Sequence, residues 1–405
     1  MSISLIGRAI KESGTLRINE IASILRAKGE PLIHLGGGEP KSKAPIDAIT
    51  NVSGLLNSGE IRYTPADGTI PMKQAIIRYT EEFYNRKVEP ENVIASSGAK
   101  QAIMVALQAI LDPQDEVLFP TPYWVSYPEM VKLCGAVPVA VKPEDGSFYP
   151  RMQDIEQNVS SYTKAIIINS PNNPTGAMYS EEFISNIVKY CEKKGIYLIM
   201  DDIYHRLIFD GKKPISCYDY ASDLTDNSKL IVINGVSKQY AMTGFRIGWA
   251  VANKKVIEVM ATIQGHQTSG PSVVTQKAAI GAINGIQSHV ESLRLTLENN
   301  RNIMMERLNA FDGVVPTKPD GTFYTFVDFS HYSKDSLELA NFLLEKVRVV
   351  TVPGVEFGLE GFLRLSTCGS VKDITEGIER IKWALDPNSP NELYIGERKL
   401  VRDWV

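Results

Sequence analysis

Two hydrophobic patterns alternate between residues 45 and 285. Stretches such as AKQAIMVALQAIL (99–111) place Ile103, Ala106, Leu107 and Ile110 three or four positions apart, the spacing of a helix with one packed face. Between such stretches lie short, continuous apolar runs: DEVLFP (115–120), AVPVAV (136–141), KAIIINS (164–170), IYLIMD (196–201), KLIVIN (229–234) and GWAVAN (248–253). A strand that is apolar at every position is buried on both faces. Such strands separated by helices predict an α/β fold with a mostly parallel sheet. EEFISNIVKYCEKKG (181–195) predicts one covering helix, stopped by its glycine. From about residue 286 the pattern changes. A long charged helix (289–311) leads into GTFYTFVDF, another helix, VRVVTVPG and FLRLST. The expected division is a large domain over 45–285 and a smaller α+β domain made of 1–44 with 286–405. The first forty-odd residues are too few for a core and are expected to pack against the C-terminal part.

Composition narrows the class. The 405 residues are 43% hydrophobic and 22% charged, as in ordinary globular chains. Lys and Arg number 43 against 47 Asp and Glu, a net charge of −4, which excludes nucleic-acid binding by bulk charge. Cys134, Cys191, Cys217 and Cys368 lie far apart with no CxxC pair, so no zinc site or disulfide framework is implied. No apolar run is long enough to span a bilayer, and the N-terminus lacks a signal-type apolar core. The expected setting is the cytoplasm.

Candidate chemistry follows from one rule: in open α/β sheets, ligands bind beyond the carboxyl ends of the strands. After NVIAS, the residues Gly98, Ala99 and Lys100 open a helix, whose free N–H groups suit an anion. Trp124 follows FPTPY, Asn172 and Asn173 follow KAIIINS, Asp201 and Tyr204 end IYLIM, and Ser237 and Lys238 follow KLIVIN. Each has a plainer reading, as a cap, a turn, a packed ring or a surface lysine. Together they are complementary. The helix start, Ser237 and Arg246 suit a phosphate, Trp124 a flat ring, and Asp201 a protonated ring nitrogen. Asn173 and Tyr204 suit a ring oxyanion, and Lys238 an aldehyde. Pyridoxal 5′-phosphate fits every item.

The same residues sit in motifs that resemble the class I/II, fold-type I aminotransferases, over about residues 13–383. These are GGGEP (36–40), YTPADG (63–68), SGAKQA, PTPYWVSYPEM (120–130), NSPNNPTG (169–176), DDIYHRLIFDG (201–211), SKQYAMTGFRIGW (237–249), PDGTFY, VPGVEFG and FLRLS. The likeness is greatest to the prokaryotic-type aspartate and aspartate/prephenate branch. It implies that Lys238 anchors the cofactor and shuttles the proton, and that Asp201 pairs with the pyridine nitrogen. It makes Asn173 and Tyr204 donors to the ring oxygen, Trp124 the stacking ring, and Ala99, Lys100, Ser237 and Arg246 the phosphate site. By the same likeness Arg364 clamps the substrate α-carboxylate beside Gly38 and Asn173. Lys100 and Thr15 read a distal carboxylate. Tyr63 reaches the phosphate of a neighbouring subunit, which implies a homodimer. The implied reaction is ping-pong transfer of an amino group between aspartate or glutamate and oxaloacetate or 2-oxoglutarate.

Three departures bear on substrate choice: Lys41 and Lys43 where the family carries acidic or apolar residues, and Gly270 where it often carries Asn. The tail 390–405 extends past the usual end and has no assigned role. Aromatic or neutral amino acids as substrates, or a β-lyase on the same fold, stay open at this level. A ligand-sensing regulator is disfavoured, because 35 residues precede GGGEP and none forms a helix-turn-helix or basic patch.

Overall fold

The computed structural model describes residues 3–404 apart from 13, 226 and 397; the side chains of 15 and 16 are also outside the description. Seven strands form the main sheet: β1 Val93–Ser96, β2 Glu116–Pro120, β3 Val137–Val141, β4 Thr163–Asn169, β5 Tyr197–Asp201, β6 Leu230–Gly235 and β7 Gly248–Val251. Their order across the sheet is β1-β7-β6-β5-β4-β2-β3. Only β7 runs antiparallel, to both β1 and β6. All the others run the same way, so β1, β2, β4, β5 and β6 end at one edge. β7 starts at that edge, and this brings Arg246, two residues before it, back to the ends of the other strands.

The continuous apolar runs are explained by two-sided burial. Ile167, Ile199 and Ile231 pack into one layer, while Ile166, Ile168, Leu198 and Val232 pack into the layer on the opposite face. The helices that position the site are α1 Gly14–Ala27, α2 Ile70–Tyr84, α3 Ala99–Ile110, α4 Ser126–Leu133, α5 Glu181–Lys194, α6 Ser288–Asn309 and α7 Val371–Leu385. The predicted helices over 99–111, 181–195 and 289–311 agree with α3, α5 and α6 to within two residues.

A second, four-stranded sheet is built from β8 Val315–Pro316, β9 Tyr324–Asp328, β10 Val352–Pro353 and β11 Phe362–Ser366, in the order β10-β11-β9-β8. Part of the N-terminal segment packs against this part. Ile33–His34 pairs in parallel with Val349–Val350, and Arg348 Nε donates to Glu30 at 2.7 Å. The tail folds back as a hairpin, β12 Glu392–Ile395 and β13 Arg398–Val401. No helix among the described residues is long and apolar enough to cross a membrane.

Candidate active site

A cavity of about 560 Å³ opens at the strand-end edge. Its wall includes Ala99, Lys100, Trp124, Asn173, Asp201, Tyr204, Ser237, Lys238, Arg246, Arg364 and Gly38. Five strand ends and the second sheet thus meet at one place. Tyr63 is 96% exposed and outside this cavity. Thr15 has its side chain outside the described residues.

Asp201 ends β5 and is buried. The Tyr127 hydroxyl donates to its Oδ2 at 2.6 Å, while its Oδ1 is buried with no hydrogen-bond partner. Burial pushes this carboxyl up to about 6, and the Tyr127 bond opposes the shift. An orphan carboxylate oxygen facing a cavity calls for a donor from a ligand. A protonated ring nitrogen is such a donor.

Lys238 lies in the turn after β6, and its Nζ donates to the Gly38 carbonyl at 2.7 Å. Burial pushes its amine down to about 8. A lysine held there has an accessible neutral form, as a nucleophile or base needs. Asn169, the last residue of β4, donates through Nδ2 to the Asp201 carbonyl at 2.8 Å and accepts from the Asn173 N–H at 2.8 Å.

The anion end is built around Gly98, the N-cap of α3, whose φ is 95°. A Cβ there would lie 2.5 Å from Arg246 Nη2, so only glycine lets the guanidinium approach the helix start. Arg246 itself has a left-handed backbone, φ 55°, and donates through Nη1 to the Thr243 carbonyl at 2.8 Å. The sequence pattern suggests a buried arginine; the structure shows it exposed at the cavity rim, because the turn before β7 is open to solvent. Lys100 Nζ lies 4.9 Å from the centre of the Trp124 ring, its amine pushed down by burial and then by the Arg246 charge.

Arg364 comes from β11 of the second sheet and is buried. It donates to Asn173 Oδ1 at 3.0 Å and to the Gly36 carbonyl at 3.1 Å, while its Nε has no partner. Since Asn173 spends its oxygen on Arg364, its NH2 group is what it offers the cavity. Tyr204 and Tyr324 meet edge-on, 6.1 Å between ring centres, and burial raises both hydroxyls.

Sequence reasoning missed Tyr127, Asn169, Tyr324 and the Glu39–Thr243 contact of 2.6 Å. Asn169 was within reach of the strand-end rule, one step before the turn that was read. Tyr127 lies three residues after Trp124, in the first turn of α4, and the two rings meet edge-on at 5.4 Å. Glu39 and Tyr324 lie in the motifs GGGEP and PDGTFY, but their partners come from distant chain segments and carry no local signal.

The residues fit pyridoxal 5′-phosphate on three observations of this structure: the orphan Asp201 oxygen, the glycine-lined helix start beside Arg246, and a lysine amine of lowered pKa. The profile of the family "Aminotransferase class I and II" matches residues 30–381. The chain is 38% identical to an aspartate aminotransferase of Bacillus subtilis, covering 94% of this chain and 98% of that one. It is 37% identical to a probable aspartate/prephenate aminotransferase of Aquifex aeolicus, over 93% and 97%. Among solved structures it resembles the aspartate aminotransferase of Thermus thermophilus with maleate, at a TM-score of 0.89 and 34% identity, covering 94% of this chain and 99% of that one. The chain is an α/β, fold-type I enzyme and belongs to the class I and II aminotransferase family.

Proposed function

We propose that this aminotransferase uses pyridoxal 5′-phosphate to move the amino group of aspartate or glutamate onto oxaloacetate or 2-oxoglutarate, by ping-pong kinetics. The observation that carries the cofactor reading is the orphan Asp201 oxygen in the same cavity as the Lys238 amine. When bound, the cofactor supplies an aldehyde and an electron-withdrawing ring. Lys238 provides the amine that holds it and, once free, the neutral base that takes and returns the substrate Cα proton. Asp201 keeps a proton on the ring nitrogen, with Tyr127 holding the carboxylate in place. Asn173 and Tyr204 donate toward the ring oxygen, Trp124 covers the ring face, and Ala99, Lys100, Ser237 and Arg246 hold the phosphate. Arg364 grips the α-carboxylate with two parallel N–H bonds, a geometry that lysine lacks.

The dicarboxylic preference rests on three supports. Relatives named aspartate aminotransferase match over nearly the whole chain, and the Thermus enzyme was solved with maleate, a dicarboxylate. Lys100 is a cation on the wall of the cavity that also holds Arg364, and a distal carboxylate buried there needs one. The test measures the cofactor's absorbance while a panel of amino acids is titrated in. Lys100→Ser is expected to raise KM for aspartate and glutamate by about 2 kcal/mol more than for alanine or phenylalanine. Equal loss for all amino acids would return Lys100 to the phosphate. A wild type that prefers aromatic donors would overturn the substrate and leave the aminotransferase.

The same proposal includes a homodimer, the domain division at 45–285, and a cytoplasmic setting. Ile46, Ile61, Tyr63 and Ile70 are all exposed, as residues of an interface must be in a lone chain. The two sheets, one per proposed domain, support the division. All four cysteines are free thiols, which suits a reducing compartment.

A further inference from the structure

Behind the wall that carries Asp201 and Lys238 lies a buried polar cluster that the chemistry above does not use. Strand alternation creates it. Asp201 faces the cavity, so Asp202 faces the opposite side of the sheet, toward α2. His205 is at the centre and is 3% exposed. Its Nδ1 accepts from Asn234 Nδ2 at 3.1 Å and lies 3.1 Å from the Asp202 carbonyl, so the proton is on Nε2. Its Nε2 then donates to the Tyr79 hydroxyl at 3.0 Å. That hydroxyl in turn donates to Oε1 of Gln239, the residue after Lys238, at 2.9 Å. Gln239 Nε2 donates to the Gly235 carbonyl at 3.1 Å and to Asn234 Oδ1 at 3.3 Å. Asn234 Nδ2 closes the ring by donating to the Asp202 carbonyl at 3.2 Å.

Two features make this ring rigid. Aromatic packing encloses it: Tyr84 stacks on His205 at 4.7 Å, and Trp249 meets Tyr79 edge-on at 5.1 Å. Its protons are also fixed. Burial, and then the Arg206 charge, push His205 down to about 3, so the ring stays neutral at working pH. A slipped arrangement would strand a buried donor or acceptor without a partner. The cluster is therefore a splint rather than a proton path.

We propose that His205, Tyr79 and Gln239 are positioning residues for the amino transfer, tying the strand end that carries Asp201 to the turn that carries Lys238. The proposal rests on the reading above, in which both residues act on the bound cofactor. The two joined residues are the immediate chain neighbours of Lys238 and Asp201, so the spacing passes through the backbone. The Lys238 stem is flexible, and only a fixed backbone at its root holds the amine at one distance from the ring.

The experiment uses the holoenzyme and the variants Tyr79→Phe and Gln239→Met. Ile187→Val, a core change on α5 outside the ring, is the control. Three quantities are read: the melting temperature, the pH midpoint of the bound cofactor's absorbance, and the limiting rate of one half-reaction with its amino-acid KM. Both ring variants are expected to shift the absorbance midpoint. They should also lower the limiting rate by about tenfold or more with KM little changed, the scale of a small misplacement. Ile187→Val should lower the melting temperature alone. Ring variants that melt earlier but keep the wild-type midpoint and limiting rate would overturn the proposal. If Tyr79→Phe does not fold, Gln239→Met decides. A wild type that binds the cofactor but accepts no amino group would refute the functional reading, and the midpoint would still test the splint.

Discussion

Lys238 and Asp201 carry the sharpest residue-scale expectations. Lys238→Ala should abolish turnover while circular dichroism shows the fold intact, since the base alone is worth about 10²–10⁴ in rate. Turnover near wild type would sink the assignment. Asp201→Asn should keep the cofactor and slow Cα proton removal strongly, because an amide cannot hold the ring nitrogen protonated. If Asp201 were only a cap, Asn would serve nearly as well. Asp202 gives a pH expectation. Burial pushes it up to about 7, against the Tyr84 hydroxyl bond that pulls it down and with the Asp201 charge that raises it further. A raised carboxyl binds its proton more tightly folded than unfolded. Stability therefore falls as pH rises from its ordinary 3.8 toward about 7. In the cofactor-free protein, Asp202→Asn should flatten the melting temperature between pH 5 and 7; an unchanged slope would discard this.

Among the elements, the C-terminal hairpin shows what an unassigned tail can do. Arg402 is buried and donates to the carbonyls of Trp383 at 3.3 Å, Asp386 at 2.8 Å and Ser389 at 3.0 Å. These groups lie at and just past the end of α7, where carbonyls lack helical partners and a cation is favourable. Trp404 adds an edge-on contact to Trp383 at 5.6 Å and donates through Nε1 to Ala384 at 3.1 Å. The tail is a clamp on the last helix, away from the cavity. Arg402→Ala should cost about 2–4 kcal/mol in denaturant unfolding, because three carbonyls lose a charged donor. It should leave kcat unchanged; a fall in kcat at full folding would place the tail in the catalytic cycle.

For the whole molecule, the question is whether one chain makes a complete site. Tyr63 stands clear of its own cavity, and the segment that carries it is tightly seated. A Cβ on Gly270 would lie 2.2 Å from the Pro65 carbonyl and 2.3 Å from Thr64 Oγ1. This departure from the family is therefore a close approach between backbone segments, and it sets where Tyr63 projects. In the proposed homodimer, mixing Tyr63→Phe with Lys238→Ala subunits should restore one site with both residues native. Activity should recover to a fraction of wild type after exchange. Exchange shown by mass without recovery would count against a shared site. Gly270→Asn should weaken cofactor retention through the displaced segment.

The strand runs, their common edge and the residues that follow each strand can be read from the chain alone, because these depend on local periodicity and on neighbours a few positions apart. Asp201, Asn173, Trp124 and Lys238 were legible for that reason, and the family motifs added Arg364. Only the tertiary structure decided which oxygen of Asp201 is free, since Tyr127 reaches it from 74 residues away. It also decided that Arg246 is open to solvent and that Arg364 shares Asn173 from 191 residues away. The ring behind the site was equally hidden, because Tyr79 and Gln239 meet across 160 residues. Burial, hydrogen-bond partners and shifted pKa values belong to such long-range meetings, and no local pattern in a chain encodes them.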